Sequence, residues 1–141
     1  MDVRALIEKH EDRIPYAYTD SLGYLTIGVG HLIDKRMGGR LPDAMIDQLL
    51  DYDILAKTAE LRTALPWAED LDVVRHAVLV DMAFNLGVSG LCKFQHFLAS
   101  LQAGHYDQAS QEMLQSLWAA QVKTRATRLS GMIKTGLWPT V

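Results

Sequence analysis

The chain of 141 residues holds one cysteine, Cys92, so no disulfide can close within it and the fold has to rest on burial and hydrogen bonding. In LCKFQHFL that cysteine reads as a small buried hydrophobe. An excess of positive charge is also missing. Lys and Arg number 14 against 17 Asp and Glu, a formal net charge of −3, which weighs against nucleic acid as a partner and gives no long-range pull toward an acidic surface. No apolar run reaches the length of a membrane span, and Asp2, Arg4, Glu8 and Lys9 break up the opening stretch as a signal peptide. The expectation is a protein made in the cytoplasm and not inserted in a membrane. The five histidines are scattered, with no HExxH and no Cys/His spacing of a metal site, and Asp51-Tyr52-Asp53 lacks the spacing and glycine of a calcium loop. No metal and no cofactor are expected. Repeats, low-complexity tracts and disordered linkers are absent as well.

What is present is 49% hydrophobic residues in a length typical of one compact domain. Residues 2–11 predict a helix with Val3, Leu6, Ile7 and His10 on one face. Val3, Ile7 and Glu11 step by four, which sets Glu11 at the end of the inward stripe while Glu8 and Asp12 turn to solvent. A carboxylate there is stripped of water, which favours its protonated form and suits a general acid. An ion pair or a backbone cap would explain the same residue. Pro15 ends the helix. Tyr16 to Thr19 and Tyr24 to Val29 predict the strands of a hairpin around Asp20-Ser21-Leu22-Gly23. Leu25, Ile27 and Val29 alternate toward the core, leaving Thr26 with Gly28 and Gly30 on an open face, and glycines in a strand often mark close approach by another group. Taken singly, Asp20 and Thr26 read equally well as ordinary turn and strand residues.

Gly30 to Arg40, with Gly38, Gly39 and several charges, predicts a loop in which His31 is structural. Residues 43–62 predict one long helix after Pro42, with Met45, Ile46, Leu49, Leu50, Ile54 and Leu61 as its apolar face and Asp53 close to it. Leu65-Pro66-Trp67 opens an all-helical part. Asp70 or Asp72 caps the next helix, whose apolar residues from Val73 to Leu86 occupy nearly every side, as suits the middle of a bundle. Gly87 and Gly90 end it. Helices follow over about 91–102, 106–116 and 124–134, with Gly104 and Gly136 as stops.

Glu11, Asp20 and Thr26, separated by eight and five residues and with GYLTIGVGHL around the last, resemble the phage-type lysozymes (endolysins) of the T4 lysozyme family. DLDVVRHAVLVDMAFNLG resembles that family's central buried helix, and SLWAAQVKTRATRLSGMIKTGLW, with its R-x-x-R and T-G-x-W elements, its closing helices. The likeness runs through the whole chain, with a shorter stretch between hairpin and long helix. It implies an α+β, mostly helical, two-lobed fold. A small β-containing lobe over about 12–42 would be joined by a connecting helix over about 43–62 to a helical lobe over about 65–141, with helix 2–11 packing near the latter. It implies hydrolysis of the β-1,4 bond between N-acetylmuramic acid and N-acetylglucosamine in peptidoglycan. Glu11 would be the general acid, with Asp20 ionised and Thr26 holding water, an inverting arrangement whose carboxyl groups lie roughly 6.5–9.5 Å apart. Leu32 and Phe84 match positions that line the saccharide cleft. His31 and Asp53 match an ion pair, and Arg125 matches an arginine beside the catalytic glutamate. Phe97 and Glu112 stand at two other cleft positions as departures, and Asp12 stands where the family usually has glycine. Peptidoglycan strands are the implied partner, reached through a holin-type export partner or by delivery with a phage particle. A monomer is expected.

Asn85 reads either as a helix C-terminal cap or as a donor to bound sugar. Trp118 and Trp138 read as core aromatics before sugar platforms. Three further readings compete with hydrolysis. A lytic transglycosylase would need no water, which leaves Asp20 and Thr26 without work. A wall-binding module that does no chemistry would have been free to lose any of the three polar residues, and none is lost. A helical nucleic-acid module using Lys123, Arg125, Arg128 and Lys134 would need a basic face on an acidic chain.

Overall fold

The computed structural model describes residues 2–34 and 40–140. Its architecture is α+β and mostly helical, and the chain divides into two compact units, Met1–Leu49 and Leu50–Val141.

The first unit opens with helix α1, Val3–Glu11. Its start is set by Asp2, whose Oδ1 accepts from the Ala5 N–H at 2.8 Å, a carboxylate on the positive end of the helix. Asp12 follows at φ 58°, ψ 167°, a backbone region that glycine alone enters freely. Strain of about 1–3 kcal/mol outweighs the roughly 0.5–1 kcal/mol entropy cost of a glycine. Asp12→Gly is therefore expected to stabilise the protein by about 1 kcal/mol, read as a higher urea midpoint at unchanged slope. An unchanged or lower midpoint would show that the Asp12 conformation is not strained.

The stripe predicted to face inward is open: Val3 is 71% exposed, and Ile7 and Glu11 are exposed too. Periodicity identifies which residues share a face, not whether another element covers it.

Three strands follow, β1 (Ile14–Thr19), β2 (Leu25–Gly28) and β3 (His31–Asp34), in one antiparallel sheet of order β1-β2-β3. The hairpin turn is the predicted one. The Gly23 N–H donates to the Asp20 carbonyl at 3.0 Å, with Gly23 at φ 85°. β3 was not predicted, because the short Leu32-Ile33 run among glycines and charges carries little strand signal of its own. Pairing with β2 across Thr26↔Leu32 and Ile27↔His31 makes it a strand. The stretch 35–39, read as loop, lies outside the described residues. Strand alternation is present, but its inside and outside are exchanged. Thr26 is 4% exposed, whereas Leu25 and Ile27 are only half-buried. The ladder shifts register between Leu25 and Thr26, and an irregularity of that kind turns the side chains relative to the sheet.

Helix α2, Asp43–Ala64, is continuous across the boundary of the two units. Only Leu61 of its predicted apolar face is buried; Met45, Ile46, Leu49, Leu50 and Ile54 are exposed. Leu61, in the last third of the helix, belongs to the core of the second unit.

In the second unit a short 3-10 turn, Pro66–Asp70, leads into α3, Val73–Leu86. Asp72, not Asp70, is the cap: its Oδ1 accepts from the Val74 and Arg75 N–H groups at 3.1 and 3.0 Å. Then come α4 (Val88–Leu91), α5 (Gln95–Gln102), α6 (Tyr106–Leu114), α7 (Leu117–Val122) and α8 (Thr124–Thr135). Gly87 ends α3, but Gly90 lies inside α4, and residues 117–122 form a helix the sequence did not announce. Val78, Leu79 and Met82 of α3, Phe97 and Leu101 of α5, Met113 of α6 and Ile133 of α8 are fully buried and form one core with Leu61. Trp118 belongs to it, edge-on to Phe94 with ring centroids 6.0 Å apart. Trp138 does not: it is 57% exposed, so its reading as a core aromatic is corrected. Cys92 is half-buried rather than buried. α3 is also less enclosed than predicted, since Val73 and Phe84 are exposed.

Candidate active site

Three polar residues of the first unit fall around strand β2. At its far end, the turn to β3 carries Gly28 and Gly30 at φ 70° and 63°. A β-carbon at Gly30 would stand 2.7 Å from Glu11 Oε2 and 2.9 Å from its Cδ. Gly30 is therefore the close approach that glycine in a strand advertises, and the approaching group is the Glu11 carboxylate. No such neighbour lies within 4 Å at Gly28.

At the near end, Asp20 occupies the hairpin turn. Its Oδ1 accepts from the Leu22 and Tyr24 N–H groups, both at 2.8 Å. The two donors hold the carboxylate in one orientation, and both fall on one oxygen. Oδ2 accepts no hydrogen bond from the described residues. Between these ends, the buried Thr26 hydroxyl donates to the Tyr24 carbonyl at 3.1 Å. With its proton committed, the oxygen has lone pairs left to accept from a guest. Leu32, exposed on β3, is the register partner of Thr26. His31 is exposed at the start of that strand.

In the second unit Phe84 is exposed and lines a groove of about 520 Å³ with Leu50, Ile54, Val80, Asp81 and Arg125. Arg125 Nε donates to Asp81 Oδ1 at 2.8 Å, and its Nη2 to the Asp81 carbonyl at 3.3 Å. Asp81 was not singled out from the sequence, because a lone carboxylate inside an apolar helical run gives no sign of its partner 44 residues away. Asn85 is not the cap: Gly87 terminates α3, and the exposed Asn85 accepts from Trp118 Nε1 through Oδ1 at 2.8 Å, which leaves its Nδ2 as a donor. Glu112 is likewise engaged, accepting from Ser100 Oγ at 2.8 Å and Gln108 Nε2 at 2.9 Å, and Phe97 is core. Asp53 is exposed on α2. The Glu11–Arg125 and His31–Asp53 pairings each draw one residue from either unit and stay expectations of the sequence. Among the described residues no cluster of three or more His, Cys, Asp or Glu could hold a metal, and no helix is long and apolar enough to cross a membrane.

Comparison with known proteins places these residues in a lineage. The pre-baseplate central spike protein Gp5 of Enterobacteria phage T4 is 27% identical over 96% of this chain, which spans 28% of that protein. The probable T4-type lysozyme 1 of Dictyostelium discoideum is 26% identical, with 84% of this chain and 85% of that one covered. The endolysin of Acyrthosiphon pisum secondary endosymbiont phage 1 is 28% identical, over 92% of this chain and 86% of its own length. The phage lysozyme profile matches residues 8–135, a span that includes Glu11, Asp20 and Thr26, and the chain belongs to the phage lysozyme family.

Proposed function

We propose that this protein is a peptidoglycan-cleaving muramidase that hydrolyses the β-1,4 bond between N-acetylmuramic acid and N-acetylglucosamine. The observation that carries the reading is the placing of Glu11 against Gly30, with Thr26 on β2 and Asp20 in the hairpin turn before it. Membership of the family and relatives named endolysin and T4-type lysozyme support it. Glu11 protonates the leaving glycosidic oxygen. It is exposed in the free protein, so the bound sugar itself supplies the water-poor surroundings that favour the protonated acid. Asp20, its Oδ1 tied to two amides, offers Oδ2 to the attacking water and to the positive charge that develops on the ring. Thr26 accepts a hydrogen bond from the same water. Leu32, Phe84 and Asn85 meet the saccharide. The action takes place on the wall after passage of the membrane with a holin-type partner. The spike-protein relative supports delivery with a virion as the second route.

The chemistry of the ends tests this. Digestion of purified Gram-negative sacculi is expected to yield borohydride-reducible muramic acid ends, with the α-anomer formed first, as direct displacement by water requires. Terminal 1,6-anhydro sugars would move the protein to the transglycosylases. Sedimentation with sacculi and no new ends would make it a binding module.

A further inference from the structure

The closing segment of the chain forms a second concavity that the proposed reaction does not use. Gly136, at φ 68°, ends α8 in the left-handed conformation, its N–H bonded to the Met132 carbonyl at 2.8 Å. The chain is thereby turned so that residues 137–140 border the outer side of α8. The Leu137 N–H donates to Thr135 Oγ1 at 3.2 Å, and that hydroxyl donates to the Gly131 carbonyl at 2.8 Å. Between tail and helix lies a groove of about 410 Å³, lined by Thr127, Arg128, Thr135, Leu137 and Trp138 among others. Its floor includes Gly131, where a side chain would meet nothing within 4 Å.

Two features of this groove call for a ligand. Trp138, a side chain of a size that is usually buried, is 57% exposed. Beside it Arg128 has no hydrogen-bond or ion-pair partner among the described residues. The other two cations of α8 are neutralised, Arg125 by Asp81 and Lys134 by Asp107. On a chain of net charge −3, a free guanidinium next to an open aromatic plate and two threonine hydroxyls matches a sugar ring that carries a carboxylate.

We propose that this groove is a second, non-catalytic glycan site, in which Trp138 stacks on a ring of an acidic N-acetylated strand and Arg128 pairs with a carboxylate of the strand or its peptide. It rests on the reading that peptidoglycan is the substrate. It also answers a difficulty of that reading. An acidic enzyme has no long-range attraction for an acidic wall, and a short-range grip retains it there between cleavage events.

The test uses the full chain carrying Glu11→Gln, so that the wall survives the measurement, and follows depletion from solution by purified sacculi. Trp138→Ala is expected to weaken binding about fivefold and Arg128→Gln about threefold, as loss of one stacking or one partly exposed charge contact implies. Thermal melts confirm that both variants are folded; Arg128 is exposed, so its replacement keeps the test open if Trp138→Ala unfolds. Binding unchanged in Arg128→Gln and in a folded Trp138→Ala overturns the proposal. So does a dimer in sedimentation velocity that Trp138→Ala dissolves, or retention on DNA stronger than on sacculi. Trp138-dependent binding by a wild type that releases no reducing ends would leave the groove standing and sink the hydrolytic reading. Reducing ends released with binding indifferent to both substitutions would do the reverse.

Discussion

Glu11→Gln is expected to slow the release of reducing ends from sacculi by about 10²–10⁴-fold, the range spanned by loss of a positioned proton donor. The amide is nearly isosteric, so the melting temperature should hardly move. A variant that clears wall at the wild-type rate would remove Glu11 from the mechanism. Position matters as much as identity, and the sheet offers a paired control. Gly28 and Gly30 both have positive φ, and an alanine at either meets the same backbone penalty of about 1–2 kcal/mol. Only at Gly30 does the new methyl run into Glu11, at 2.7 Å from Oε2. The carboxylate must then swing aside, and a misplacement of about 1 Å costs on the order of 10²-fold in rate. Gly30→Ala should therefore lose that rate as well as stability, and Gly28→Ala should lose stability alone. Equal rates in the two glycine variants would mean that the approach of Gly30 to Glu11 has no bearing on turnover.

What could be read in the sequence was local, and what could not be read depended on distant partners. Asp72 as a cap, Gly104 and Gly136 as stops and the Asp20–Gly23 turn need only neighbours within a few residues, and each is where the sequence put it, although Asp70 was an equal candidate for the cap. β3 exists through its ladder with β2, and α4 and α7 are single turns or little more, too short for periodicity to register. The face of Thr26 was assigned by ranking it less apolar than Leu25 and Ile27, and the register shift beside it reversed the result. Of the proposed site, Glu11, Asp20 and Thr26 were legible through the resemblance to a known family, since each alone reads as an ordinary residue, and the reason Gly30 has no side chain was not. Asp81 and Arg75 went unnoticed because a charged residue inside an apolar run is silent about its partner until the chain is folded.

Arg75 is the costliest of these omissions. Its side chain is 11% exposed. Nε donates to the Ile133 carbonyl at 2.7 Å and Nη2 to the Lys134 carbonyl at 3.2 Å, two acceptors that the end of α8 cannot satisfy within itself. Nη1 reaches Asp72 Oδ2 at 2.8 Å, and the guanidinium lies 3.5 Å over the Tyr106 ring at the start of α6. One side chain thus ties α3, α6 and α8. Arg75→Ala strands two carbonyls and a carboxylate at once. Hydrogen bonds to a charged group are worth about 1.5–3 kcal/mol each, but Asp72 is 40% exposed and its share is screened. A loss of about 3 kcal/mol in the denaturation free energy is expected. Arg75→Lys should recover little of it, because an ammonium cannot serve three acceptors in the plane of a fork. Gly136→Ala should weaken the same joint, since a β-carbon there would stand 2.7 Å from Arg75 Nη1.

The pH dependence separates this clamp from simple packing. Burial alone would raise the pKa of Asp72, but the Arg75 N–H, the Arg75 guanidinium and the Val74 N–H together outweigh it and hold the carboxyl below its ordinary 3.8. A depressed carboxylate stabilises the fold fully above its unfolded value, and that stability drains away as pH falls through the lower folded value. Acid should therefore erode the wild type below about pH 4, and should erode Arg75→Ala less, because much of what acid removes is already gone. The stability gap between the two should narrow from neutral pH to pH 3. A gap of constant size across that range would assign the whole effect of Arg75 to its carbonyl and ring contacts and none to Asp72.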